Sequence, residues 1–280
     1  MRVRSLRKLE ITCGDSVETL WIEEFGSGRP VIAVTGGVHG NESIGTATAR
    51  ALIGRLPLKC GTVRVIAECN PGALRAGRRA HPEDDMDMNR TFPGNSAGSL
   101  TERLAAAVWN ETADADFLID LHGSAPGNLP YILSVYGEGE HLYTMAQRIP
   151  LPLAIHSAGT PGQLFVEACR RRGQAALVLE LPSDGDAVQF AEKVVSFLEN
   201  RPCSSPLFCG RLHRIALPEG DFFRRAAEPG QMVAAGTCIG FVNDTPVFMP
   251  EEGVLIGIRP DGSLAERDRW AASYAKPRLN

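Results

Sequence analysis

The chain has 280 residues, of which 44% are hydrophobic and 22% are charged, and its formal net charge is −4. This composition is typical of a globular protein with one large and one small domain. The mild acidity and the lack of a basic stripe argue against nucleic acid as a partner. No apolar stretch approaches the roughly 20 residues that cross a bilayer. Seven irregularly spaced cysteines, and no apolar segment after the basic N-terminus, predict reduced thiols and a cytoplasmic location.

The order of predicted elements indicates an α/β fold. Alternating residues in 3–12 and 17–25 predict an antiparallel hairpin. Strands and helices then alternate, which predicts a mixed, largely parallel sheet with helices on both faces. Ser99 and Glu102 are spaced as a capping box at the start of one helix. The remaining predicted strands are 31–35, 62–69, 115–121, 131–136, 153–156 and 175–181, and the predicted helices are 42–55, 99–113, 139–148, 163–172 and 185–199.

Residues 70–98 are predicted to form a long loop without secondary structure of its own. Loops of this length in compact domains are usually functional. His81, within this loop, is expected to be an exposed turn histidine.

A second, smaller domain is predicted after the Pro- and Ser-rich linker 201–206. Residues 207–260 carry short apolar pairs with turn sequences roughly every ten residues, which is typical of an all-β module. Part of this module resembles a biotinyl/lipoyl-like domain, but no lysine that could carry a prosthetic group lies between Lys193 and Lys276. The predicted domains are therefore 1–200 and 201–280, the second without a carrier function.

The segment His39–Glu42 follows the apolar run Val31–Val34, where a strand ends and a helix begins. An imidazole and a carboxylate three residues apart suit a divalent metal such as zinc, whose catalytic sites keep one position open for water. The alternative interpretation is a solvated loop in which Asn41 or Ser43 caps the helix.

Two further strand ends strengthen the metal interpretation. His122 ends the apolar segment that begins at Phe117, and ligands of α/β enzymes gather at the carboxyl ends of strands. Asp120 could orient a neighbouring group, or it could simply be satisfied by backbone amides. Glu180 lies within another apolar strand, where an unpaired carboxylate is costly, and general-base catalysis would explain its position.

Five ordered motifs together resemble the succinylglutamate desuccinylase/aspartoacylase family, relatives of the zinc carboxypeptidases. The resemblance covers roughly residues 28–200 and, more loosely, the β-rich C-terminal part. It implies that residues 1–200 are a zinc-hydrolase catalytic domain with a zinc-carboxypeptidase-like fold. The motifs are His39-x-x-Glu42, Asn70-Pro71-x-Ala73-Leu74-Arg75-x-Gly77-x-Arg79, Asp87-Met88-Asn89-Arg90-x-Phe92-Pro93-Gly94, Asp120-Leu121-His122 and Glu180.

The resemblance also implies roles for individual residues. His39, Glu42 and His122 would be the ligands of one Zn²⁺ per chain, and Glu180 would be the general acid/base. Arg79 would polarise the scissile carbonyl and stabilise its oxyanion. Asn89 and Arg90 would hold the substrate α-carboxylate, in agreement with the bidentate geometry of a guanidinium; without the flanking motif these two residues would be interpreted as a surface turn.

Two features of the sequence leave the identity of the substrate undecided. The connection that contains Glu83–Asp85 is more acidic than is usual in the family, so it could repel a second anionic group or fold away from the pocket. A second substrate carboxylate would need another cation, and Arg170 is the first candidate among Arg170–Arg172. The alternative is a solvated, basic helix C-terminus.

The resulting prediction is a metal-dependent hydrolase that uses metal-activated water to cleave the amide of an N-acylated amino acid or a similar small carboxylate. Its partner would be that small molecule or a peptide, with no nucleic acid and no membrane, and a homo-oligomer is compatible with the sequence. The alternatives are a metallocarboxypeptidase acting on short peptides and a non-catalytic relative that binds a carboxylate.

Overall fold

The computed structural model describes residues 5–56, 61–135, 140–265 and 269–278. Residues 3–4, 136 and 139 of the predicted elements lie outside these ranges, as does Cys60. The twelve-stranded main sheet has the order β1-β2-β4-β3-β5-β8-β6-β7-β9-β16-β14-β11. Its strands are β1 (Ser5–Cys13), β2 (Ser16–Gly26), β3 (Val31–Gly36), β4 (Thr62–Ile66), β5 (Phe117–Ser124), β6 (Tyr131–Val135), β7 (Leu153–Ser157), β8 (Ala175–Pro182), β9 (Leu207–Ala216), β11 (Met232–Val233), β14 (Gly253–Ile258) and β16 (Trp270–Pro277).

The sheet is mixed. The strand pairs from β4 to β8 and from β6 to β9 are parallel, β8 and β6 are antiparallel to each other, and the pairs at both edges of the sheet are antiparallel. β3 pairs in parallel with β4 and β5, and β5 pairs in parallel with β8. The hairpin β1–β2 adds an antiparallel edge, as predicted. Every residue of β3 is buried, because central strands with both faces covered are apolar throughout. The mixed α/β architecture is confirmed.

Six helices cover the sheet within the described residues. α1 packs on β3, β5 and β8 and against α6, whereas Arg172 of α5 stacks on Trp109 of α3, with 3.4 Å between the guanidinium carbon and the ring centroid. The predicted capping box of α3 is present, since Ser99 N donates to Glu102 Oε2 at 2.8 Å. The helices are α1 (Ser43–Ile53), α2 (Pro71–Ala76), α3 (Leu100–Glu111), α4 (Glu140–Gln147), α5 (Leu164–Arg172) and α6 (Ala187–Leu198).

The expectation that residues 70–98 lack secondary structure is wrong. They contain helix α2 and a 3₁₀ turn at Met88–Arg90. Asn70 caps α2 by accepting a hydrogen bond from Ala73 N, and Gly77 ends it in the left-handed conformation. Both are ordinary helix boundary signals, but a helix of six residues is too short to produce a recognisable periodicity.

The C-terminal region continues the main sheet. β9 pairs in parallel with β7 through Leu207–Cys209, and then antiparallel with β16 as far as Ala216. A separate four-stranded sheet has the order β13-β12-β10-β15. The division into domains 1–200 and 201–280 stays a prediction. The strands of the small sheet are β10 (Phe222–Arg225), β12 (Cys238–Val242), β13 (Thr245–Phe248) and β15 (Gly262–Ser263).

No helix within the described residues is long and apolar enough to cross a membrane. The six cysteines that the structure describes are free thiols.

Candidate active site

Three adjacent strands bring the predicted catalytic residues to one edge of the sheet. His39 follows the end of β3, while His122 lies near the end of β5 and Glu180 near the end of β8. His122 and Glu180 are direct neighbours in the parallel register. The carboxyl ends of parallel strands are where α/β proteins place their ligand sites.

Close backbone packing directs the loop between β3 and α1 towards this edge. Gly37 has a left-handed φ of +65°, and a Cβ at Gly40 would lie 1.9 Å from the carbonyl oxygen of Ala73. Glu42 is the N-cap residue of α1, yet its side chain makes no capping hydrogen bond. The N-cap is thus neither Asn41 nor Ser43, and the carboxylate of Glu42 contacts the histidines instead of the helix.

His39, Glu42 and His122 form a compact cluster whose ligand atoms all lie within 4.8 Å of one another. The Nδ1 atoms of His39 and His122 lie 2.9 and 2.8 Å from the two oxygens of Glu42. Gly123 N also donates to this carboxylate, at 2.9 Å. Burial raises the pKa of Glu42, but the hydrogen bonds to His122 and His39 outweigh it and hold the pKa well below its usual range. Two imidazole nitrogens and one ionised carboxylate are a donor set that fits Zn²⁺.

The outer nitrogen of each imidazole is held by a further carboxylate. His39 Nε2 lies 2.9 Å from Asp87 Oδ1, and His122 Nε2 lies 2.9 Å from Asp120 Oδ2. Asp120 is fully buried and also accepts a 2.7 Å hydrogen bond from Thr35. This carboxylate–histidine arrangement orients histidines that ligate metals. It agrees with the orienting interpretation of Asp120 and adds Asp87, to which the sequence assigned no role.

Glu180 lines the cavity at this edge, and its pKa is raised to about 7. Desolvation is the main cause, and the negative charges of Glu42 and Asp120 add to it, while His122 and His39 oppose it. Tyr131 is its neighbour in the antiparallel register with β6. Burial, together with the charge of Glu180, raises the pKa of Tyr131 well above its usual value, so this phenol keeps its proton at neutral pH.

Arg79, Asn89 and Arg90 approach the same cluster from the segment between α2 and α3. Arg79 is half exposed and donates to Asp87 at 3.0 Å and to Glu42 at 3.2 Å. Asn89 is buried: its Oδ1 accepts a hydrogen bond from Leu164 N at 3.0 Å, and its Nδ2 lies 3.4 Å from His122 Nε2. Arg90 is exposed.

These residues line a cavity of about 560 Å³. One set of lining residues, here called the inner wall, consists of His39, Glu42, His122 and Glu180. A second set of lining residues comes from the C-terminal strands and is here called the outer wall; it consists of Leu212, Arg214 and residues 257–260 and 270–273. Arg79, Asn89, Arg90 and Tyr131 lie on the same cavity.

Residues 29–199 match the profile of the succinylglutamate desuccinylase/aspartoacylase catalytic domain. The chain belongs to this family. Among curated relatives, an N-alpha-acetyl-L-2,4-diaminobutyric acid deacetylase from Halomonas elongata is 30% identical over 166 residues, which are 56% of this chain and 48% of that protein. A succinylglutamate desuccinylase from Burkholderia thailandensis is 36% identical over 101 residues, which are 34% of this chain and 28% of that protein.

The chain thus spans about half the length, or less, of these curated relatives. Solved structures share the fold along nearly all of both chains. An aspartoacylase family protein from Mesorhizobium loti has a TM-score of 0.84 at 22% identity, with 99% of this chain and 95% of that chain covered. The product-bound ectoine utilization protein EutE (DoeB) from Ruegeria pomeroyi has a TM-score of 0.78 at 20% identity, with 97% and 94% covered.

The acidic segment of this family member folds away from the cavity. Asp84 accepts hydrogen bonds from Thr101 N at 2.9 Å and Ser99 Oγ at 2.8 Å, at the start of α3, and Asp85 pairs with Arg78. Neither these aspartates nor Glu83 line the cavity. Of the two alternatives left open by the sequence, the second therefore describes the structure.

The expectation for His81 is wrong. Its side chain is buried, with 2% of the residue exposed, and its Nε2 lies 3.3 Å from Glu18 Oε1. Gly72 makes room for it, because a Cβ there would lie 2.1 Å from His81 Nε2. A buried partner distant in sequence cannot be recognised from the polar composition of a loop.

Arg170 does not line the cavity. It lies in the last turn of α5, where its guanidinium donates to the carbonyl of Ala158 at 2.8 Å. Among the residues that the structure describes, the arginines of the cavity lining are instead Arg79, Arg90, Arg214 and Arg259. Sequence reasoning missed the last two because nothing local distinguishes them from other surface arginines of the C-terminal strands.

Proposed function

We propose that this chain is a zinc-dependent hydrolase that cleaves the amide bond of an N-acylated amino acid or a similar small carboxylate. The observation that carries the proposal is the convergence of His39, Glu42 and His122 with Glu180 in one cavity. Family membership supports it, because the named curated relatives are a deacetylase and a desuccinylase.

In this proposal His39, Glu42 and His122 hold one divalent ion. Such an ion lowers the pKa of water towards about 7 and polarises a carbonyl oxygen. The carboxylates of Asp87 and Asp120 fix the two imidazoles so that both Nδ1 atoms face Glu42.

Glu180 moves the proton. As a water oxygen bonds to the amide carbon, Glu180 accepts a proton from that water, and it then donates a proton to the amine nitrogen as the carbon–nitrogen bond breaks. A carboxyl group with a pKa of about 7 suits both steps, because general acid–base catalysis is most efficient near the operating pH.

Arg79 and the Asn89–Arg90 pair divide the recognition of the substrate. Arg79, held at 3.0 Å by Asp87, stabilises negative charge on the carbonyl oxygen as it is attacked. Arg90 binds the α-carboxylate through its forked guanidinium. Asn89 shares this carboxylate through its Nδ2, which lies 3.4 Å from His122 Nε2, while its Oδ1 accepts a hydrogen bond from Leu164 N.

A combined metal and activity assay tests the proposal. The purified protein should contain about one zinc per chain, in line with a single three-ligand site. It should hydrolyse members of a panel of N-acetyl and N-succinyl amino acids, and lose this activity to a chelator and regain it with zinc. Dipeptides in the same panel separate deacylation from peptide cleavage. If the zinc-loaded protein binds these compounds but hydrolyses none of them, the proposal is contradicted.

A further inference from the structure

Tyr131 is the residue of the cavity lining that lies directly beside Glu180. It begins β6 and is opposite Glu180 in the antiparallel register of β6 and β8. Directly opposed residues of antiparallel strands project from the same face of the sheet, with their Cβ atoms about 5 Å apart. Both residues line the cavity. The phenol and the proposed general acid/base are therefore side by side.

The order of the strands places Tyr131 on the side of Glu180 that faces away from the cluster of His39, Glu42 and His122. The strands run in the order β3, β5, β8 and β6. Glu180 has His122 as its register partner on β5 and Tyr131 as its register partner on β6. In the proposed reaction, on which this inference rests, Glu180 takes a proton from the water at the cluster and delivers it to the amine nitrogen. We expect that nitrogen on the far side of Glu180 from the cluster, next to Tyr131.

The ring of Tyr131 is fixed by apolar packing. Only 7% of the residue is exposed, and its partners in a buried cluster include Leu153 on β7 and Val254 and Ile256 on β14. Leu129, shortly before β6, donates from its backbone nitrogen to Ile256 O at 2.8 Å. The fold therefore defines where the hydroxyl group of Tyr131 lies.

This hydroxyl group is available to a ligand. Among the residues that the structure describes, none forms a hydrogen bond with the hydroxyl of Tyr131 or with the carboxylate of Glu180. Neither group belongs to the buried atoms that lack a partner, so both open onto the cavity. Burial and the charge of Glu180 raise the pKa of Tyr131 well above its usual value. The phenol is therefore uncharged at neutral pH, and its oxygen can accept a hydrogen bond as well as donate one.

We propose that the Tyr131 oxygen accepts a hydrogen bond from the N–H of the amide that is cleaved and so directs the lone pair of that nitrogen towards Glu180. As the carbon–nitrogen bond breaks, its electron pair stays on nitrogen and takes up the proton that Glu180 removed from water. The acyl carbon keeps the hydroxyl group of that water, and Tyr131 neither gains nor loses a proton. The hydrogen bond strengthens as the nitrogen becomes more positive, so it contributes mainly to kcat.

An amide and its ester analogue test this role. The ester has oxygen in place of the N–H, so it offers no hydrogen for the Tyr131 oxygen to accept. For the N-acyl amino acid that the wild type hydrolyses best, Tyr131→Phe should lower kcat/KM by roughly 10–100-fold, because the N–H would be left without a partner. For the corresponding O-acyl 2-hydroxy acid, kcat/KM of the variant should stay close to that of the wild type.

Tyr131→Phe removes one oxygen and keeps the ring in its apolar cluster, so the zinc content and the free energy of unfolding should not change. Rates are expressed per zinc-loaded chain, which removes any effect of incomplete loading. Tyr143→Phe is the matched control, because this exposed tyrosine of α4 stacks on Phe208, with 4.1 Å between the ring centroids, and does not line the cavity. The control should leave both compounds unaffected. Equal losses for amide and ester in Tyr131→Phe, or no loss for the amide, would overturn the assignment.

A binding experiment separates failure of this inference from failure of the proposed function. Calorimetric titration of zinc-loaded Glu180→Gln with N-acetyl-L-alanine and O-acetyl-L-lactate measures Kd without turnover, with and without Tyr131→Phe. Weaker binding of the amide alone in the double variant supports the role of Tyr131 even if the wild type hydrolyses neither compound, a result that would refute only the hydrolase assignment. If binding of the amide is not weakened, or both compounds are weakened alike, the role of Tyr131 is overturned and the hydrolase proposal stands.

Discussion

The two walls of the cavity differ in how the chain builds them. The inner wall is made from residues at the ends of neighbouring parallel strands, each within a short motif that sequence alone can interpret. The outer wall is made from β9, β14 and β16, where turn-rich sequence contains no comparable motif. The difference shows that one cavity is lined both by residues of recognisable motifs and by residues that only the folded sheet brings there. The following variants test this separation, from the largest expected effect to the smallest.

Loss of an inner-wall ligand should have the largest effect. The His122→Ala variant keeps only His39 and Glu42 as metal ligands. It also removes the imidazole that Asp120 orients. We expect both zinc retention and hydrolysis to fall to background, as measured by metal analysis and by amine release. Stoichiometric zinc in a folded His122→Ala protein would refute the ligand assignment.

Glu180→Gln should separate metal binding from proton transfer. The amide has nearly the same size but cannot accept the proton, so kcat should fall by roughly 10²–10⁴-fold. Zinc content and substrate affinity should stay close to those of the wild type, because Glu180 is not one of the clustered ligands. A rate near that of the wild type would mean that Glu180 is only a half-buried strand carboxylate.

Arg79 and Arg90, which also line the cavity, should give different kinetic signatures. Arg79→Ala should lower kcat by roughly 10²–10³-fold, the usual cost of removing one oxyanion donor. Arg90→Ala should instead raise KM by roughly 10–100-fold, because a carboxylate is held about equally in the ground and transition states. Blocking the α-carboxylate of the substrate as an amide should reproduce the Arg90→Ala effect in the wild type. An unchanged kcat/KM for the amide would exclude the anchor.

The smallest effect is expected outside both walls, at Asp84. Its carboxylate accepts hydrogen bonds at the start of α3, so Asp84→Ala should lower the free energy of unfolding by about 0.5–2 kcal/mol without changing kcat/KM. The exposed neighbour Glu83 provides the control, since Glu83→Ala should change stability by less than about 0.5 kcal/mol. Denaturant unfolding measures both variants, and equal losses in the two would contradict a stabilising role of the Asp84 hydrogen bonds.

The difference in the free energy of unfolding between Asp84→Ala and the wild type should depend on pH in a definite direction. Burial acts to raise the pKa of Asp84, but its hydrogen bonds with Thr101, Ser99 and Met86 lower it below the usual value overall. A carboxylate with a lowered folded-state pKa stabilises the protein above its unfolded pKa. The difference between Asp84→Ala and the wild type should therefore be complete at neutral pH and shrink as the pH falls through the folded-state pKa.

The sequence predicts the central fold because its strands and helices are long and periodic. The wholly buried β3 reads as a continuous apolar run, and the capping box of α3 is visible in Ser99 and Glu102. The six-residue helix α2 was not predicted because it has fewer than two turns, although Asn70 and Gly77 mark both of its ends. Periodicity needs length, whereas caps do not.

The residues of the site also differ in whether the sequence can predict their position. His122 could be placed beside Glu180 because parallel strands align their carboxyl ends. Arg214 could not be distinguished from Arg211, three residues earlier in the same strand, because only the pairing of β9 with β16 determines which side chain faces the cavity. Likewise, the burial of His81 depends on Glu18, more than sixty residues away.

The pairing of β9 with both β7 and β16 determines which parts of the chain can be exchanged. A protein shortened after residue 200 would leave the edge of β7 uncovered, which invites aggregation, and would lose the outer wall. Grafting residues 207–277 between family members, by contrast, would keep the β7 edge covered and leave the inner wall unaltered. Chimaeras of this kind, joined at β9, would test whether the outer wall influences the choice of substrate.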